Sequence, residues 1–196
     1  MGNLAYEFVS DVPKRRIEII DGKQYMQATP STQHNDVVMN IGAMFKNYLK
    51  GKPCKVHSEH KVVFSENDKV IPDIMVVCDL AKRRENHIEG APDLIIEVLS
   101  PSTSARDKGE KKRMYEKFGV KEYWIVNPAS RTVEVYLLDS NRLEIDSVYA
   151  VIADWELEDL DEAEKNKFKY EFTPSMFSDL VIHVNDVFDG LVESWN

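Results

Sequence analysis

Between Pro92 and Pro101 the chain reads Asp-Leu-Ile-Ile-Glu-Val-Leu-Ser, and Leu94, Ile95, Ile96, Val98 and Leu99 leave it no polar face. A strand that is apolar on both sides must be covered on both sides, so the fold needs a sheet with a layer packed against each face. The same run contains Glu97. A carboxylate in that setting has to be protonated, ion-paired or bound to a cation, because an unpaired buried charge is expensive. A strand end at which Glu97 reaches solvent or meets an arginine explains it as well, since ion-pair networks also place acids in such positions.

The flanking pattern supplies the layers. Apolar and polar residues alternate around Asp21-Gly22, a strong hairpin signal. Val37, Ile41, Met44, Phe45 and Tyr48 recur at helical spacing, entered through Ser31 or Thr32 as cap and ended by Gly51 and Pro53. Segments 54–64 and 69–79, around the turn 65–69, read as a second hairpin. A helix over 104–118, stopped at Gly119, precedes two strands around Asn127-Pro128, a further strand within 142–152 and a short helix at 173–180. The acidic stretch 154–165 reads as a solvated loop or insertion. Helices against a mixed sheet make this an α/β chain. Its 196 residues, 43% of them hydrophobic, suit one substantial core, so a single domain is expected over 1–196.

Charge and cysteine usage narrow the function. A formal net charge of −9 speaks against tight, nonspecific coating of nucleic acid, which needs many Lys and Arg contacts to phosphate. The charge is uneven: 106–117 is basic and 153–164 strongly acidic, so a local basic patch remains compatible with a nucleic-acid substrate. No apolar stretch approaches the length of a membrane span, and residues 1–16 lack a signal-peptide core. Gly2 is followed by Tyr6 where a myristoylation signal wants Ser or Thr. Cys54 and Cys78 have no metal-ligand spacing and read as buried thiols in a reducing compartment, which makes a cytoplasmic protein the expectation.

A second acid shares the setting of Glu97. Asp73 follows Pro72 and opens the apolar run Ile74–Val77. A strand-starting acid after proline is common, but two acids in consecutive core strands can converge, and paired acids are how proteins hold Mg²⁺. The helix adds a third element. Stepping back from Met114, Tyr115 and Phe118 by three and four residues leads through Lys111 to Asp107, so the buried face carries a lysine and an aspartate. A snorkelling lysine is the plainer account of Lys111. Lys108 and Lys112 point further outward. Glu18 lies on the strand face opposite Ile17 and Ile19, His34 precedes the first helix's apolar stripe by one turn, and His57 and His60 read as surface groups.

The runs "PDIMVV", "GAPDLIIEVLSPST" and "RDKGEKKRMYEKFGVKEYWIVNP", with "RIEIIDG" and "TPSTQHNDVV" upstream and, more weakly, "FSDLVIHVNDVFDGL" downstream, resemble the Uma-two family of putative restriction endonucleases, within the PD-(D/E)XK nuclease-like superfamily. That resemblance implies a restriction-endonuclease-like mixed central sheet flanked by helices, with added N-terminal and C-terminal strands. It implies a metal-dependent phosphodiester hydrolase, Asp73 and Glu97 holding Mg²⁺ or Mn²⁺. Leu99 stands where the superfamily places a lysine, and Lys111 matches the family's displaced lysine. Ser100, Asp107, Glu18 and His34 also match family positions. The expected roles are orientation or deprotonation of water, or phosphate neutralisation, by Lys111, whose burial would lower its pKa toward that task. An outer metal contact falls to Glu18, phosphate contact or proton transfer to His34, and backbone contact to Lys108, Lys112 and Arg113. The partner is nucleic acid, DNA foremost, with no membrane and with a homodimer as one compatible assembly. The alternatives are a catalytically degenerate nucleic-acid- or partner-binding module on the same fold, and a Glu97–Lys111 ion pair that serves stability alone.

Overall fold

The computed structural model describes residues 16–152, 157–158, 160–165 and 168–192. Asp21 and Gly22 both take left-handed backbone angles, φ 49° and 74°. Those angles suit a two-residue hairpin turn, and here they join β1 (Ile17–Ile20) to β2 (Lys23–Met26). Helix α1 (Thr32–Tyr48) begins where Ser31 Oγ accepts the His34 amide at 3.2 Å, and it buries Val37, Val38, Ile41 and Phe45.

The second hairpin is present but divides between two sheets. Residues 54–65 hold β3 (Lys55–Ser58) and β4 (Val62–Ser65), while 68–77 hold β5 (Asp68–Val70) and β6 (Ile74–Val77). β3 pairs with β6, and β4 with β5. One arm breaks at Glu59, with φ 46°, and the other at Pro72, which has no N–H for a ladder.

After β7 (Ile88–Glu89) comes β8 (Leu94–Val98), buried at every residue as its composition requires. It lies antiparallel to β6 and parallel to β9 (Glu122–Asn127). With β10 (Thr132–Asp139) and β11 (Arg142–Ala150), the described strands form a mixed six-stranded sheet, β11-β10-β9-β8-β6-β3. A five-stranded sheet runs β2-β1-β5-β4-β7.

Residues 104–118 form α2, α-helical at Ser104–Arg106, π-helical at Asp107–Lys111 and α-helical again at Lys112–Phe118. Gly119, at φ 78°, closes it. Alternation along the strands now sorts side chains into two cores. Ile74, Val76, Leu94, Ile96 and Trp124 pack with α1. Met75, Ile95, Leu99 and Tyr123 pack with Ile20, Val62 and Val70 of the smaller sheet and with Met114 and Tyr115 of α2. Glu97 has the parity of Ile95 and Leu99, so it points into the second core.

The C-terminal part contributes α3 (Glu162–Lys165), the ribbon of β12 (Glu171–Phe172) and β13 (Ile182–His183), and α4 (Val184–Val187). The helix expected at 173–180 is instead a set of turns. The amide and hydroxyl of Ser175 donate to Glu122 Oε2 at 2.9 and 2.6 Å, which holds the segment against the main sheet. Of the acidic stretch read as a loop, 162–165 is helical, and 154–156 and 159 lie outside the described residues, as does everything before Arg16.

The reading of Cys54 and Cys78 as separate thiols needs correction. They flank the β3–β6 pair immediately beyond Lys55 and Val77, which are partners in register, and they are joined by a disulfide. Sequence spacing does not show a cross-strand register. The bond removes the cysteine argument for a reducing compartment. No helix of the described residues is long and apolar enough to cross a membrane.

Candidate active site

Strand parity, the π segment of α2 and the N-terminus of α1 bring the predicted acids to one cavity of about 820 Å³. Glu97 Oε1 takes a hydrogen bond from Lys111 Nζ at 3.0 Å and from the Tyr115 hydroxyl at 2.6 Å. The same ammonium reaches Glu18 Oε1 at 3.1 Å and Asp107 Oδ1 at 3.4 Å. Asp73 Oδ2 accepts the Val98 amide at 2.7 Å and faces His34 Nε2 at 3.2 Å. The peptide beside Glu97 therefore holds the Asp73 carboxylate. Glu18 is fixed in turn by the Ile71 amide, at 3.0 Å. The π segment places Asp107 and Lys111 side by side toward the sheet, and the Tyr123 hydroxyl donates to the Asp107 carbonyl at 3.1 Å. Single π turns of this kind recur at functional sites.

One ammonium serves three buried acids, and the protonation states follow from that count. Burial lowers the affinity of Lys111 for its proton, but Glu97, Glu18 and Asp107 outweigh it and hold the pKa well above the usual lysine range. Burial pushes Glu97 well up, against Lys111 and with help from Asp107, Asp73 and Glu18. Asp107 is raised for the same first reason. Burial and mutual repulsion thus favour the protonated form at Glu97 and at Asp107. For His34, burial pulls downward, yet the bond and charge of Asp73 leave the imidazole raised.

These directions correct one expectation. Deprotonation of water by Lys111 required burial to lower its pKa, and the surrounding acids do the opposite. The acids around it therefore favour the protonated form of Lys111.

Asp73, Glu97, Lys111, Glu18, His34, Ser100 and Asp107 all line the cavity. Lys108, Lys112 and Arg113 do not. Lys108 is bound to Glu134 at 2.5 Å, Lys112 to Glu116 at 3.1 Å, and Arg113 is exposed. His57 and His60 are half-buried with their rings stacked, rather than simply at the surface. Sequence reasoning missed Arg106, whose guanidinium lies 3.6 Å from Glu18 Oε2 and over the Tyr25 ring. It also missed Tyr115, which was counted as an apolar stripe residue. Its position four after Lys111 was the available signal that its hydroxyl shares the lysine's neighbourhood.

The donor set fits a hard divalent ion. Asp73 Oδ1 and Glu97 Oε2 accept no hydrogen bond from the described residues, whereas Asp73 Oδ2 and Glu97 Oε1 do. Buried Glu18 Oε2 and Asp107 Oδ1 also accept no hydrogen bond, although Arg106 lies 3.6 Å from the first and Lys111 3.4 Å from the second. Four carboxylates, Glu18, Asp73, Glu97 and Asp107, face two permanent cations, Lys111 and Arg106, leaving a formal excess of two negative charges. Among the described residues no group of three or more His, Cys, Asp or Glu side chains is arranged to hold an ion alone. An ion here would take most of its shell from water, which suits Mg²⁺.

Comparison with known proteins identifies the family and the fold. Residues 4–165 match the model of the Uma2 (Uma-two) family, described as putative restriction endonuclease. The chain is 30% identical over 126 residues to the uncharacterized protein slr1290 of Synechocystis sp. (strain ATCC 27184 / PCC 6803 / Kazusa). That match spans 63% of this chain and 66% of the relative's length. A crystal structure of a putative nuclease belonging to DUF820 from Anabaena variabilis ATCC 29413 superposes with a TM-score of 0.66. It covers 88% of this chain and 89% of that one at 23% identity, a likeness of fold. The chain thus shares its mixed α/β fold with that protein, and it belongs to the Uma2 family.

Proposed function

We propose that this protein is a divalent-metal-dependent, endonuclease-like hydrolase of nucleic-acid phosphodiester bonds, with DNA as the foremost substrate. The observation that carries the reading is the meeting of Asp73, Glu97 and Lys111, from three separate elements, in one cavity. Asp73 and Glu97 would hold Mg²⁺ or Mn²⁺ through the carboxylate oxygens left free of hydrogen bonds. When bound, the ion supplies an acidified water and neutralises charge that develops on phosphate. Lys111 stays protonated and presents its positive charge where a phosphoryl oxygen gathers negative charge. Glu18 and Asp107 fix the position of that ammonium, and Tyr115 orients Glu97. His34, paired with Asp73 through Nε2 at the cavity wall, would steady that carboxylate.

A second reading has an observation of its own. Lys111 already compensates Glu97 without any ion, as it would in a degenerate binding module on this fold. Two measurements separate the readings. Mn²⁺ should raise the melting temperature and support cleavage of a labelled oligonucleotide, and Asp73→Ala should lose both responses. A wild-type protein that neither responds to Mn²⁺ nor cleaves would leave the binding module.

A further inference from the structure

The reactive groups lie on the floor of the cavity. Lys111 and Glu97 are each 2% exposed, Asp107 is 1% exposed and Glu18 fully buried. A scissile phosphate must descend to Lys111 to be neutralised by it. The cavity's volume of about 820 Å³ lies within the range of pockets that enclose one small molecule. A paired phosphate cannot make that descent alone, because its neighbours and the opposite strand travel with it. An unpaired nucleotide can be turned out of its backbone path at a cost of only a few kcal/mol or less.

The rim points the same way. Duplex-binding surfaces carry Lys and Arg along the phosphate track. Here Thr29, Ser31, Ser100, Ser102 and Thr103, all neutral hydroxyls, line two facing loops. Besides Lys111 and the titratable His34, the basic side chain among the described lining residues is Arg16, and it is bound to Glu59 at 2.8 Å. Lys108, Lys112 and Arg113 lie outside the cavity. We infer that the substrate is an unpaired stretch of nucleic acid, taken one nucleotide at a time into the cavity, and not the interior of a duplex. This rests on the nuclease reading above and names its substrate class.

The test uses the full chain with Mn²⁺ and a labelled DNA oligonucleotide, offered single-stranded, as a full duplex, and as a duplex carrying an unpaired loop. Single strand should be cut at least about tenfold faster than duplex, and the loop substrate only within its unpaired segment. Single-strand affinity should fall by about tenfold or less between 50 and 200 mM salt, since few phosphates are contacted. Equal or faster cutting of the full duplex overturns the inference and leaves the nuclease reading standing. A thousandfold loss of affinity over that salt range also overturns it, because it would reveal a long phosphate track. Failure to cut any of the three overturns the nuclease reading and this inference with it.

Discussion

The dipeptide Pro-Asp opens two adjacent core strands, at Pro72-Asp73 before β6 and at Pro92-Asp93 before β8. Because the strands are antiparallel, the two aspartates sit at opposite ends of the sheet's centre. Asp93 is closed off: Oδ2 accepts the Cys78 amide at 2.8 Å, and Oδ1 meets Lys121 at 2.8 Å. Asp73 also caps a neighbouring strand through an amide, but its other oxygen is free and lines the cavity. The lysines differ as well. The side chain of Lys111 is 3% exposed and shared by three acids, whereas that of Lys121 is 68% exposed and serves one. The same motif is structural at one end and available for chemistry at the other, and the neighbours decide which.

The largest expected effect falls on the buried lysine. Lys111→Met keeps the stem but leaves Glu97 and Asp107 uncompensated and Glu18 with Arg106 alone, and should lower urea stability at neutral pH by about 3–5 kcal/mol. A loss below about 1 kcal/mol would erase the distinction between the two lysines. Next come the aspartates. Asp73→Ala should cut phosphodiester cleavage by more than about a hundredfold, the equivalent of several kcal/mol in the barrier. Its stability should change less than that of Asp93→Ala, since cavity water can replace one bond. Asp93→Ala strands the Cys78 amide and should cost about 1–3 kcal/mol in folding, with cleavage per folded molecule unchanged. Reversed phenotypes would mean that the functional end has been misidentified.

The two ends should also respond to pH with opposite sign. Burial disfavours the charged form of Asp93, but its bonds to Lys121 and the Cys78 amide win and hold its pKa below the usual carboxylate range. Its stabilisation is therefore present above a pH of about 4 and is lost on acidification through the folded value. Glu97 is raised, so its contribution is complete below the ordinary carboxylate pKa and is lost as the pH climbs through the folded one. Denaturation in EDTA across this range should show Asp93→Asn flattening the acid limb and Glu97→Gln flattening the loss toward higher pH. Glu97→Gln should be no less stable than the wild type without metal, since Lys111 retains Glu18 and Asp107. A large loss in that variant would mark Glu97 as a purely structural ion-pair partner. The smallest effect belongs to Lys121→Met, at most about 1 kcal/mol, because its partly solvated charge gains little from Asp93.

Sequence alone was enough to place β8 in a covered sheet, because a run without a polar face has no other stable setting in water. It located Asp73 and Glu97 at the core strands, and the helical stripe carried Lys111 and Asp107 to the same side. Those conclusions rest on periodicity, which is local. Only the tertiary structure decided the rest, since the answer depended on which distant groups arrive at a given atom. It split one apparent hairpin between two sheets, paired Cys54 with Cys78 through strand register, and widened α2 into a π turn at Asp107–Lys111. It also reversed the expected direction of the Lys111 pKa. Burial was legible in the stripe, but three carboxylates converging on one ammonium from β1, β8 and α2 were not, and at 3.0–3.4 Å their charge outweighs burial.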